Sequence, residues 1–219
     1  MSTLKHHPDT ATLVEFSAGT LEPALAMCVS AHLHFCDRCK NELMRLDQVG
    51  SQIMGEADPA EVDGQLFDKV MAKIDDLPEQ EKVSLPASEN NYPPLVEKLV
   101  ENTGEDLTWR KMSASVDIAR LKTGQNDYEV ALHKICAGGK TPKHGHSGRE
   151  FTVVLKGSFS DESSVYTEGD FIMKAAGDEH QPMGAQNGEC ICLSALEAPI
   201  KLSSKFGFLM KPWLRINPM

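Results

Sequence analysis

Apolar residues recur at helical spacing through the first third of the chain and then give way to short, strand-length runs. Asp9 can cap a helix over residues 10–18, Gly19 suits its C-terminal end, and Pro23 fits the first turn of a second helix. Leu43, Leu46, Val49 and Ile53 form a helical stripe within Cys36–Ile53, and Val62, Leu66, Val70 and Ile74, four residues apart, predict a fourth helix. Both stripes read first as core faces, with a partner surface as the alternative. From Asp76 to Pro94 the chain is polar, carries four prolines and shows little periodicity, which predicts a linker. Beyond it, the runs Glu129–Ile135, Phe151–Leu155, Phe171–Met173 and Ile191–Leu196 are separated by Gly, Asp and Ser. Runs of this length and spacing predict an antiparallel barrel or jelly roll rather than βαβ units. The expected architecture is therefore α+β in two domains: a helical bundle of about four helices over residues 1–75, a linker over 76–94, and a β domain over 95–219.

Charge adds an asymmetry to that division. The 219 residues carry a net charge of −10, and residues 1–90 hold 7 basic and 16 acidic side chains against 15 and 16 in the remainder. An acidic N-terminal half repels a phosphate backbone and attracts basic proteins, so direct nucleic-acid binding is disfavoured and a protein partner favoured. Apolar residues make up 41% of the chain, yet no uninterrupted apolar run is long enough to span a membrane. The first twenty residues lack the basic, apolar and small-residue succession of a secretory signal, which points to the cytoplasm.

Six cysteines in a reducing compartment are to be read for metal or redox chemistry before disulfides. His32-x3-Cys36-x2-Cys39 offers one imidazole and two thiolates, and on a helix the offsets 0, 4 and 7 share one face, a donor set suited to tetrahedral zinc. Three ligands do not close a structural site; His7, at the entrance to the first helix, is the natural fourth, with His6 its neighbouring competitor. A thioredoxin-like redox pair at Cys36 and Cys39 is the alternative, but that motif normally follows a strand, and Asp37 and Arg38 give it no support. This segment resembles the zinc-binding anti-sigma domain of bacterial extracytoplasmic-function sigma regulators. His7 followed by Leu13, Phe16, Ala18-Gly19 and Leu21 is similar to the ChrR-type group. The resemblance implies a helical domain that masks a sigma factor's polymerase-binding surfaces, with Leu66, Phe67, Val70 and Met71 as candidate sigma contacts.

A second constellation is Gly138-x5-His144-x-His146-x3-Glu150-x6-Gly157, followed by Gly169, Gly177 and His180. Strand alternation sends His144 and His146 to one side, and Glu150 can return a carboxylate to the same point. These residues resemble the two cupin motifs, with Ala175 where Pro is usual and Gly184 where Asn is usual. His144, His146, Glu150 and His180 offer a mixed N/O site for a second divalent metal, zinc foremost, with Mn, Fe and Ni as alternatives. His133 and Cys136 read as core or surface residues. Cys190 and Cys192, two apart on a strand, share a face and read as buried thiols, with oxidation-sensitive neighbours of the metal as the alternative.

Two functions follow. In one, a ChrR-like anti-sigma factor, not an enzyme, sequesters an extracytoplasmic-function sigma factor and releases it when its cupin-like domain senses an oxidant such as singlet oxygen. In the other, the β domain is a cupin dioxygenase using iron at His144, His146, Glu150 and His180, and the zinc module serves for docking. The order of the two modules, which the ChrR resemblance implies, favours the first.

Overall fold

The computed structural model describes residues 4–78 and 92–202; most of the expected linker, and the segment 203–219, lie outside the described residues. Asp9 accepts a hydrogen bond from the Thr12 amide at 2.8 Å and caps α1, Thr10–Ser17. Pro23 opens α2, Pro23–Phe35, where its missing N–H would have had no helical partner. Cys36 adopts an extended conformation (φ −117°, ψ 97°) that separates α2 from α3, Asp37–Gly55, and its Sγ accepts the Cys39 amide at 3.4 Å as the cap of α3. The His32–Cys39 motif therefore straddles a corner between two helices instead of lying on one helical face. The helix α4, Leu66–Asp75, follows.

A fifth helix, α5, Pro94–Thr103, begins at the last residue of the expected linker and occupies the start of the segment that the sequence pattern assigns to the β domain. Pro94 sits in its first turn, and Val96, Leu99 and Thr103 are buried at helical spacing. The neighbouring prolines hide this stripe when the sequence alone is read.

Twelve strands are formed among the described residues: β1 Arg110–Lys111, β2 Val116–Arg120, β3 Glu129–Ile135, β4 His144–Gly145, β5 Glu150–Lys156, β6 Ser158–Ser160, β7 Val165–Thr167, β8 Phe171–Lys174, β9 Glu179–His180, β10 Met183–Gly184, β11 Cys190–Leu196 and β12 Lys201–Leu202. Every pairing is antiparallel. They form a six-stranded sheet in the order β1-β2-β3-β11-β5-β8 and two three-stranded sheets, β10-β6-β7 and β12-β4-β9. No continuous hydrogen-bonded ring closes among the described residues, so the β region is a set of facing sheets in the jelly-roll manner.

Strand alternation divides the large sheet into two faces. Val130 and Leu132 of β3, Phe151, Val153 and Leu155 of β5, and Leu193 and Ala195 of β11 join one core with Leu13 of α1, Leu25 and Val29 of α2, and Val96 and Leu99 of α5. The opposite face contributes Ile135, Val154, Cys190 and Cys192 to a second cluster with Phe159, Tyr166 and Ile172. Helix α2 thus lies directly on the sheet, and Cys28 Sγ reaches the Phe151 carbonyl at 3.6 Å. In contrast, α3 buries only Cys39, and α4 buries none of its residues. The expectation that both stripes are core is corrected there: Ile53 is 65% and Ile74 52% exposed.

Candidate metal centres

His7, His32, Cys36 and Cys39 converge so that one ligand atom from each lies within 4.8 Å of the others. His7 Nδ1 stands 3.4 Å from both Cys36 Sγ and Cys39 Sγ, and His32 Nε2 stands 3.4 Å from Cys39 Sγ. Zinc bonds of about 2.3 Å to sulfur and about 2.0 Å to nitrogen place N and S about 3.5 Å apart at tetrahedral angles, so the spacing fits that ion. The other ring nitrogens fix the tautomers: His32 Nδ1 donates to the Gly169 carbonyl at 2.7 Å, and His7 Nε2 donates to the Leu4 carbonyl at 3.2 Å. Both inward nitrogens are left as lone-pair donors. Burial pushes His32 down to about 4 and lowers His7, whereas burial and the adjacent Cys36 push Cys39 up to about 12. His6 does not compete. Its ring turns away to pair with the Ser164 hydroxyl at 2.9 Å.

The β region supplies part of this centre's support. Gly169 has φ +89°, and a Cβ there would fall 2.7 Å from Phe35 Cβ, so only glycine lets the carbonyl approach His32. The next residue, Asp170, is buried and accepts the amides of Lys5 and His6, each at 3.0 Å, which holds the strand leading to His7.

In the second cluster, His144, His146, Glu150 and His180, one ligand atom from each likewise lies within 4.8 Å of the others. His144 and His180 pair in register across β4 and β9, and His146 and Glu150 follow at the turn into β5. His144 Nδ1 donates to the Pro142 carbonyl at 3.0 Å, and His180 Nδ1 lies 3.2 Å from Asp161 Oδ2. Their Nε2 atoms consequently face each other with lone pairs at 3.0 Å, an arrangement that calls for a shared positive charge. His146 Nε2 is buried without a hydrogen-bond partner, and Glu150 Oε2, also without one, lies 3.2 Å from His146 Nδ1. Three imidazoles and one carboxylate, with these orphaned atoms, fit a divalent cation. Burial pushes Glu150 up to about 7, His146 down to about 3 and His180 down to about 4. Asp161 goes the other way: burial alone would raise it, but hydrogen bonds from Ser163, Lys174 and His180 hold it near 2.

The motif glycines earn their positions, since Gly138, Gly157, Gly169 and Gly177 all have positive φ. The two departures also fit. The Ala175 amide donates to Asp178 Oδ2 at 2.8 Å, which proline could not do, and a Cβ at Gly184 would meet the Cys136 carbonyl at 2.8 Å.

Comparison with known proteins decides the family. The chain is 34% identical over 214 residues to the anti-sigma-E factor ChrR of Cereibacter sphaeroides, covering 98% of this chain and all of that protein. The chain belongs to the ChrR family of anti-sigma factors. The ChrR cupin-like domain matches residues 98–198. The crystal structure of Rhodobacter sphaeroides SigE in complex with the anti-sigma ChrR superposes with a TM-score of 0.75 at 34% identity, over 89% of this chain and 99% of that one. ChrR is a regulatory protein, which sets the regulator reading above the dioxygenase one.

Other residues take positions that the sequence reading left open. Cys190 and Cys192 are buried on one face with their sulfurs 3.7 Å apart. Leu66, Phe67, Val70 and Met71 are exposed on α4. Asp161, Lys174 and Asp170 were missed. They lie in no recognisable motif, and only the tertiary structure brings them to the two clusters. No helix among the described residues is long and apolar enough to cross a membrane.

Proposed function

We propose that this chain is an anti-sigma factor that holds an extracytoplasmic-function sigma factor through its helical segment, residues 1–75, and releases it when its cupin-like segment meets an oxidant such as singlet oxygen. The observation that carries the reading is α4, an amphipathic helix whose apolar stripe of Leu66, Phe67, Val70, Met71 and Ile74 is exposed, none of it buried. An unburied stripe of this length is the signature of a partner surface, and the near end-to-end match to ChrR supplies the partner's class. The acidic N-terminal half adds steering toward a basic protein that weakens with salt.

In this reading His7, His32, Cys36 and Cys39 hold a structural zinc. His144, His146, Glu150 and His180 hold a second divalent metal, zinc by preference, with Mn, Fe and Ni as alternatives. The metal of the β region serves the response and not the grip on sigma. Oxygen transferred by the oxidant to Cys190 or Cys192 would turn a small buried thiol into a polar sulfenic acid within a packed cluster. The strand β8 supports a route from there to the helices. Lys174, at one end, contacts Asp161 Oδ2 at 3.2 Å beside His180, and at the other end the Phe171 amide donates to the His6 carbonyl at 3.1 Å.

The test is a sigma-dependent reporter together with co-purification of sigma and the full chain. Phe67→Asp should abolish both repression and co-purification while leaving the melting temperature unchanged, because Phe67 makes no buried contact. Full repression by that variant would overturn the reading. Glu150→Ala should keep repression and lose the response to oxidant.

A further inference from the structure

The sheet face that carries Glu150 lines a half-open cavity of about 140 Å³ that continues beyond the His144, His146, Glu150 and His180 cluster. Its floor can be followed rung by rung. Leu196 pairs with Glu129 and Glu150, Ser194 with Ala131 and Thr152, and Cys192 with His133 and Val154. The distance from the Glu150 rung to the His133 rung is about 13 Å along β11.

Two buried hydroxyls on the cavity wall lack partners. Ser194 is 2% exposed and its Oγ accepts and donates nothing; Thr141 Oγ1 is in the same condition. His133 also lines the cavity. The surroundings are apolar, including Val116, Ile118, Ile135 and Phe159. Arg120, the cationic side chain on the wall, is already held by Glu129 at 2.8 Å.

These features define a ligand. Purely apolar cavities stay empty, whereas buried hydroxyls need hydrogen-bond partners. The volume is close to that of a cavity of about 150 Å³ known to accept benzene. A charged ligand would find no unpaired countercharge away from the metal cluster, because Arg120 and Glu129 satisfy each other. We infer that the cavity is a binding site for a small uncharged organic molecule, with an apolar body of about benzene's size lying against His133 and a hydroxyl or carbonyl that meets Ser194. The site stands independently of sigma binding.

Isothermal titration of the full chain with phenol, benzene and benzoate tests it. Phenol should bind at one saturable site, more tightly than benzene, and benzoate should bind more weakly than phenol. Ser194→Ala should weaken phenol by about fivefold, the worth of one net hydrogen bond, and leave benzene unchanged. The wild-type chain provides a readout that needs no variant: phenol should shift the imidazole NMR resonances of His133. Failure of phenol to bind, tighter binding of benzoate, unchanged phenol affinity in Ser194→Ala, or unmoved His133 resonances would each overturn the inference. Tighter benzoate would assign the cavity to an anion held by the metal cluster.

Discussion

Helix α2 and the six-stranded sheet share one core, and Leu25→Ala measures how tightly they are joined. Leu25 is fully buried in the cluster that contains Val29 on the same helix, Val96 and Leu99 on α5, and Val153 and Leu193 on the sheet. Truncating such a leucine costs about 3 kcal/mol, the sum of lost transfer energy and a residual cavity walled by elements that cannot collapse. In a chain of this size 1 kcal/mol shifts the melting temperature by about 2–4 °C, so the expected fall is about 6–12 °C. The assay is thermal unfolding of the chelated chain, followed at 222 nm for the helices and by tryptophan fluorescence for the β region, where Trp109 lies against Lys134. Both signals should fall together by the same amount, since the missing side chain belongs to a core common to both. An early helical transition with an unmoved fluorescence transition would show that the helices and the sheet unfold separately, and the argument from the shared core would be wrong.

Three further outcomes are expected. Cys36→Ala should bring zinc in the helical centre, measured by atomic emission, to well below one equivalent and reduce helical circular dichroism, because the same sulfur is both a ligand candidate and the cap of α3. Asp170→Asn should accelerate zinc loss to a competing chelator several-fold while Glu168→Gln does not, since only Asp170 ties down the Lys5 and His6 amides. His133 is pushed down to about 4 by burial, next by the nearby His144, whereas in the unfolded chain it titrates at about 6.5. The unfolded state therefore binds the extra proton between those values, so stability is intact above pH 6.5 and falls by up to about 3 kcal/mol as pH drops to 4. In urea titrations of the chelated chain, His133→Gln should flatten that slope by one proton; an unchanged slope would refute the assignment.

The two candidate metal clusters were legible because their members come in short, regular spacings: His32, Cys36 and Cys39 span a single corner, and His144, His146 and Glu150 a single turn. Long-range members were legible only through family resemblance in the case of His180 and through helix-entry geometry in the case of His7. The main strands were readable from apolar runs, for β3 and β11 almost residue by residue. What escaped was everything that depends on chain segments meeting. Gly169 acts on the His32 ring and Asp170 on the Lys5 and His6 amides, each more than 130 positions away, and no local pattern encodes that. The helix α5 was masked by its own starting prolines, and the exposure of α3 and α4 could not be told from burial, because a stripe is apolar whether it meets the protein's own core or another chain.

The strand β11 has no spare side. Alternate residues press on the helices through Leu193 and Ala195 and on the cavity through Cys192 and Ser194, all of them buried. Interiors packed to crystal-like density have low compressibility and transmit strain. The strand consequently behaves as a diaphragm: whatever swells or empties the chamber on one side is felt by α2 on the other, with no hinge and no moving loop required.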